Sequence, residues 1–242
     1  MIQITRHHIT VPGLPGAMEG IKVAQLSDFH RSHLTKDSLL HHAVQITLNE
    51  KPDIILLTGD YVTFNQGDIE PCGHIIQPLK APLGVYAVLG NHDYSTDAPA
   101  VERMLKHNGV HVLVNQGIRL PQGLCIIGLE DDRYGSPQPA RALRDIDQHE
   151  PVLAMVHNPG CAETLAHREC IIFSGHTHGG QILLPLLTGR ELKRIGAGKF
   201  RSGWYQVGKA SMYVNRGLGC VGYPVRFLCK PEVSLFTLHT SR

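Results

Sequence analysis

The chain has 242 residues, 42% of them hydrophobic and 18% charged, which is long enough to bury a full core of the larger α/β type. Lys and Arg number 23 against 21 Asp and Glu, and the formal charge of +2 supplies no broad field for nucleic acid or an acidic membrane. The longest apolar runs, such as Ile54 to Leu57, fall far short of the roughly 20 residues that cross a bilayer, and no basic-then-apolar export pattern opens the chain, so it reads as cytoplasmic.

The first segment alternates weakly. After the turn-rich stretch 11–16, a strand is expected at 21–26, ending at Ser27 and Asp28. Leu39, Leu40, Ala43, Val44 and Leu48 then share one face of a helix, with Thr35 as its expected N-cap and Pro52 as its stop. Residues 53–60 form a run apolar on both faces, as in the buried strands of a mostly parallel sheet. The unit recurs at 84–90, followed by a helix near 97–108, strands near 112 and 124–129, a helix near 139–148 and a strand at 152–156. Strands alternating with helices predict α/β layering. Past Gly175 the composition predicts an irregular loop followed by antiparallel strands through Leu238. No linker-like stretch interrupts this order, so residues 1–242 are expected to form a single domain. The six cysteines, at 72, 125, 161, 170, 220 and 229, make no CxxC pair and read as buried thiols.

The chemistry gathers where strands end. Asp28 and His30 follow the first strand, Asp60 the second, Asn91 and His92 the third; His157 closes a later one, and His176 and His178 follow the run 170–175. In open α/β sheets ligands bind outside the carboxyl ends of the strands, so these residues are expected to converge on one crevice. Imidazole, carboxylate and one amide suit Zn, Mn or Fe better than calcium. The i, i+2 pairs Asp28/His30 and His176/His178 would point the same way from extended chain. Gly59, Gly90 and Gly175 precede ligand segments, where a sharp turn or a close backbone approach favours the absence of a Cβ. The bland alternative for each residue is turn-capping by its side chain. His41, His42, His107 and His149 lie away from strand ends and are left out.

Asp28-Phe-His30, Gly59-Asp60, Gly90-Asn91-His92-Asp93, His157 and Gly175-His176-Thr-His178 together resemble the calcineurin-like metallophosphoesterases, in family order across residues 21–181. That resemblance implies a four-layer α/β/β/α sandwich of two mixed sheets. It also implies two divalent ions, with Mn first and Zn or Fe as alternatives, and with Asp28, His30, Asp60 and His178 on one ion and Asp60, Asn91, His157 and His176 on the other. Activated hydroxide would be the nucleophile, His92 the proton donor to the leaving group and Asp93 the residue orienting its ring. Arg31 and Arg216 are candidate contacts for the substrate phosphate. Gly179-Gly-Gln181 resembles a bacterial subgroup, some of which hydrolyse UDP-diacylglucosamine. This points to a phosphodiester or pyrophosphate, small or lipid-linked, with peripheral contact at the inner membrane. The alternatives are a soluble cyclic-nucleotide or glycerophosphodiester phosphodiesterase, or a non-catalytic binding module on the same fold. No nucleic acid and no protein partner is expected. Ile182, Leu183, Leu184, Leu186 and Leu187, with Tyr223, Val225, Phe227 and Leu228, would wall a cleft for acyl chains, or else form buried strands. The stretch 189–201 holds five basic residues, which would attract a phospholipid head group or lie in a solvated loop.

Overall fold

The structure is a computed structural model describing residues 1–182, 195 and 197–241. Its first half runs β1 (Gln3–Val11), β2 (Lys22–Leu26), α1 (Asp37–Asn49), β3 (Ile54–Leu57), α2 (Ile69–Ile76), β4 (Val85–Ala87), α3 (Asn91–His107) and β5 (His111–Val112). The second half runs β6 (Gln116–Arg119), β7 (Cys125–Gly128), α4 (Pro139–Ala142), β8 (Val152–Met155), β9 (Ile171–Ser174), β10 (Gly203–Val207), β11 (Ala210–Val214) and β12 (Glu232–Thr240). One sheet has the order β1-β12-β2-β3-β4-β5 and the other β10-β11-β9-β8-β7-β6.

Alternation within the buried strands builds the layers. In β3, Ile54 and Leu56 face the core between the sheets, while Ile55 and Leu57 face the core under α1, α2 and α3. In β8, Leu153 and Met155 join the core between the sheets, and Val152 and Ala154 join the one beneath α4 and the 3₁₀ segment Pro159–Leu165. Strands apolar on both faces can sit only in the middle of such a stack. The result is the four-layer α/β/β/α sandwich of two mixed sheets. In it, β2, β3, β4 and β5 run parallel, as do β7, β8, β9 and β11.

Several local expectations change. Thr35 does not cap α1; its hydroxyl accepts the Cys220 N–H at 3.0 Å, and Lys36 holds the N-cap position with no side-chain bond. Helix α2, unforeseen in the sequence, tolerates Pro71 because a first-turn residue has no intrahelical use for its N–H. Helix α3 starts earlier than expected and breaks at Asp97 (φ −172°), whose carboxylate accepts the Ala100 N–H. The helix expected at 97–108 is therefore only its second half. Helix α4 stops at Ala142, and the carbonyls of Asp145 and Asp147 accept from Arg119 and Arg168 instead of from a continuing helix. Strand β6 was not foreseen. After Gly175, β10 and β11 do form an antiparallel pair, but β11 lies parallel to β9, and β12 lies antiparallel to β2 and parallel to β1. All six cysteines are free and buried. Leu183, Leu184, Leu186, Leu187 and residues 189–194 lie outside the described residues.

Candidate metal centre

The carboxyl ends of β2, β3, β4, β8 and β9 each feed a loop to one point, and the loops brace one another. Asp28 N–H donates to the Gly59 carbonyl (2.9 Å), His30 N–H to that of Asp60 (3.0 Å) and Gly175 N–H to that of His157 (3.0 Å). Asp28, His30, Asp60, His176 and His178 all hold left-handed φ, between 44° and 71°. The i, i+2 pairs are therefore aimed by sharp turns rather than by extended chain, as the spacing alone suggests. Such backbone is sparsely populated and survives only where surrounding structure imposes it. Gly59 takes φ +92°, and a Cβ there would sit 2.6 Å from His157 Nδ1 and 2.7 Å from Gly90 N. A Cβ on Gly175 would overlap Ser27 Oγ and Asp28 Oδ2.

Two groups of donor atoms result. In the first, His178 Nε2 lies 3.4 Å from Asp28 Oδ1 and 3.0 Å from His30 Nε2, which in turn lies 3.2 Å from Asp60 Oδ2. In the second, His157 Nε2 lies 3.1 Å from the same Asp60 oxygen, 3.2 Å from Asn91 Oδ1 and 3.2 Å from His176 Nδ1. Asp60 Oδ2 thus stands between them. All seven residues are buried.

Hydrogen bonds on the far side fix which atoms face inward. His157 Nδ1–H donates to the Thr58 carbonyl (2.7 Å) and His176 Nε2–H to that of Ile195 (2.9 Å). Each ring therefore presents its other nitrogen to the cluster, as outer partners of metal-bound histidines do. Inward lone pairs, an amide oxygen and a carboxylate at about 3 Å cannot satisfy one another without a cation or a proton among them. The donor set fits divalent metal, and three clusters of the described residues can hold an ion: Asp28/His30/His178, Asp60/His157/His176 and His30/Asp60/His92.

The electrostatics agree. Burial lowers His30 and His176 to about 4 and also depresses His178, so these rings are neutral, the state that binds metal. Burial opposes charge on His157 too, but Asp60 outweighs it and raises the ring's pKa. Asp60 is lowered despite burial, chiefly by His157 and then His30. A proton on His157 stands where a cation would.

His92 is half-buried beside this cluster. Its N–H donates to Asp60 Oδ1 (2.9 Å) and its Nδ1–H to the Thr63 carbonyl (2.9 Å). Asp93 does not orient that ring. It accepts the backbone N–H groups of Asp60, Tyr61 and Gly90 at 2.8 to 2.9 Å, because it sits at the start of α3, where it braces the Asp60 loop. Arg31 is engaged by Asp37 and Asp68, and Arg216 by Glu232 (2.7 Å) and Gln3. Both guanidinium groups thus already have partners, and Arg216 is turned into the β1–β12 side of the fold. Sequence reasoning missed Thr58 and Thr63, whose backbone carbonyls engage His157 and His92 and leave no side-chain signal, and the Thr63 hydroxyl, which lies 3.2 Å from His30 Nδ1. It also missed Arg226, whose Nη2 lies 3.1 Å from His178 Nδ1.

Residues 21–180 match the model of the calcineurin-like phosphoesterase family. The chain belongs to that family. It is 31% identical to the phosphodiesterase YaeI of Escherichia coli, over 90% of this chain and 82% of YaeI. It is 27% identical to the UDP-2,3-diacylglucosamine pyrophosphatase LpxG of Chlamydia trachomatis, over 97% of this chain and 88% of LpxG. Among solved structures, the sulfate thiohydrolase SoxB of Thermus thermophilus shares the fold with a TM-score of 0.54 at 11% identity; the match covers 83% of this chain and 52% of SoxB, so the chain spans about half of that larger protein. This calcineurin-like phosphoesterase is a metal-binding hydrolase by family. Among its described residues no helix is long and apolar enough to cross a membrane.

Proposed function

We propose that the chain is a two-metal phosphodiesterase or pyrophosphohydrolase, with a lipid-linked substrate of the UDP-diacylglucosamine kind. The observation that carries the reading is the single Asp60 oxygen shared between two clusters of inward-facing donors. Asp28, His30, Asp60 and His178 would hold one ion, and Asp60, Asn91, His157 and His176 the other. When bound, such ions supply an activated water and positive charge for the phosphoryl oxygens.

The chain's own groups do the rest. Thr58 and Ile195 hold the His157 and His176 rings in the tautomers that present a lone pair inward. Thr63 engages His92 Nδ1, so Nε2 is the nitrogen that gives a proton to the leaving oxygen. Asp93 acts as a positioning residue by fixing the Asp60 backbone. Arg31, next to His30, reaches a substrate phosphate only by leaving Asp37 and Asp68. Arg216 is likewise held by Glu232 and Gln3.

YaeI is named for diesters and LpxG for an acylated pyrophosphate, which supports cleavage of a P–O bond at a phosphorus that carries a second ester or anhydride link over cleavage of a monoester. Imidazole, carboxylate and amide ligands suit Mn²⁺, Fe or Zn²⁺, and Mn²⁺ is taken as the best activator. The test is turnover of bis-p-nitrophenyl phosphate and of p-nitrophenyl phosphate by chelated enzyme reconstituted with each ion. Mn²⁺-restored turnover that favours the diester supports the reading. No metal-restored turnover of either ester refutes it, and Mg²⁺ as the best activator refutes the histidine ligand scheme.

A further inference from the structure

Four large apolar side chains stand in water on one short loop: Tyr223 is 70% exposed, Val225 53%, Phe227 51% and Leu228 76%. Soluble surfaces rarely gather such residues without a partner. The loop is not loose. Its polar members turn inward and tie it to the metal centre. Arg226 donates through Nε to the Gly219 carbonyl (2.9 Å) and through Nη1 to that of Arg216 (2.8 Å), and its Nη2 lies 3.1 Å from His178 Nδ1. Gln181 donates to the carbonyls of Val221 and Tyr223 and accepts the Val221 N–H. Leu228 is held at φ 55°, a strained conformation for a branched residue that keeps its side chain turned outward.

Across the centre stands another exposed ring. Phe64 is 71% exposed and lies edge-on to His92 at 5.1 Å; His92 lies 4.8 Å from His30, and His30 lies 4.7 Å from His178. The donor cluster therefore opens between two apolar edges. The surrounding chain is basic although the whole protein is near neutral. From Ala197 to Pro231, Lys and Arg occur six times and an acidic residue not at all. Of these basic residues, Lys230 is exposed beside the loop, and Arg201 is exposed on a backbone held by Thr177 next to His178.

We propose that this rim docks on an anionic lipid surface, with Phe64, Tyr223, Val225, Phe227 and Leu228 entering the interface and Arg201 and Lys230 facing the head groups. Apolar side chains ringed by cations are matched by acyl carbons beneath negative head groups, and not by a soluble ligand or an uncharged surface. The centre would then face the layer in which the phosphates of lipids lie. Docking stands apart from the catalytic reading, since vesicle binding needs no turnover and a soluble diester needs no vesicle.

The test is sedimentation of the full chain with vesicles of phosphatidylcholine alone and of phosphatidylcholine with phosphatidylglycerol. The protein is expected to bind the mixed vesicles and to lose binding at high salt. Phe227→Ser combined with Leu228→Asn, Asn being tolerant of the left-handed backbone, should cut partitioning roughly 10- to 100-fold and leave turnover of a soluble diester unchanged. Tyr223→Ser offers an independent variant should the double one misfold. Failure of the wild type to bind mixed vesicles overturns the proposal, as does equal binding by the variants. Dimerisation in the absence of lipid that the same variants abolish also overturns it, by giving the rim to a second copy.

Discussion

Replacing Gly59 by Ala isolates the close packing that the centre depends on. The new Cβ would lie 2.6 Å from His157 Nδ1, 2.7 Å from Gly90 N and 3.0 Å from Gly90 Cα, at a φ of +92°. The backbone strain costs about 1–2 kcal/mol, and the overpacking, which pushes on the ring that donates to Thr58, costs about 1–3 kcal/mol more. A total of roughly 2–5 kcal/mol lowers the melting temperature by about 4–20 °C in a chain of this size. Gly109→Ala is the control. Its φ is +77° with nothing within 4 Å of the new Cβ, so it bears the strain without the collision. Melting of both variants, with metal content measured beside it, separates the effects. Gly59→Ala should be the less stable and should lose metal, whereas Gly109→Ala should keep it. Equal melting points and equal metal content would refute the packing account of His157.

Asp60→Asn should deplete both ions, because one oxygen serves both clusters, while His92→Ala should keep them and lower kcat by roughly 10²- to 10⁴-fold; metal analysis beside turnover checks the pair, and equal depletion would move His92 into the ligand set. Metal binding should release a proton and strengthen as pH rises, because Asp60 raises His157 above its ordinary pKa and the ligand must be neutral; titration calorimetry in buffers of different ionisation enthalpy counts the proton. Metal at 100 times its Kd should add about 2.7 kcal/mol of stability, or roughly 5–10 °C, and chelation should remove it in a melting scan. Glu232 is lowered, in spite of burial, by Arg216, Tyr213 and Thr5; its folded pKa lies below its unfolded one, so its contribution is present above the unfolded value and is lost as pH falls through the folded value. The stability gap between wild type and Glu232→Gln, read by denaturant unfolding, should therefore narrow on acidification.

How much the sequence revealed depended on which atoms carry each feature. The parallel strands were legible because Ile54 to Leu57 and Val152 to Met155 are apolar on both faces, which only a central strand tolerates. The convergence of Asp28, His30, Asp60, Asn91, His157, His176 and His178 followed from their places at strand ends. The helix α2 was hidden by Pro71 and Gly73, which read as breakers until the proline is seen to fall in the first turn. The parallel pairing of β1 with β12, at opposite ends of the chain, left no local trace. The partners of the ligand rings were hidden for a different reason. Thr58 and Ile195 engage His157 and His176 through carbonyls, and any residue type supplies a carbonyl. Arg226 lay unnoticed among apolar neighbours that drew attention as a wall.

The backbone of the centre explains why motif spacing singled out these donor residues without giving their geometry. Asp28, His30, Asp60, His176 and His178 all take left-handed φ, a conformation that costs about 1–2 kcal/mol for a residue with a Cβ. A strand end left to itself would run on extended and send alternate side chains to opposite faces of the sheet. The left-handed turns bend the loops back toward one another, so that donors from both sheets meet within about 3 Å. They are held there by bonds between the loops, from Asp28 to Gly59, from His30 to Asp60 and from His176 N–H to the Asp28 carboxylate. Each loop is thus set by another loop. That mutual bracing places three neutral rings, a His157 that carries a proton beside Asp60, and buried carboxylates before any ion arrives, and it leaves cation binding to displace that proton and relieve the lone-pair conflicts that the fold has already built.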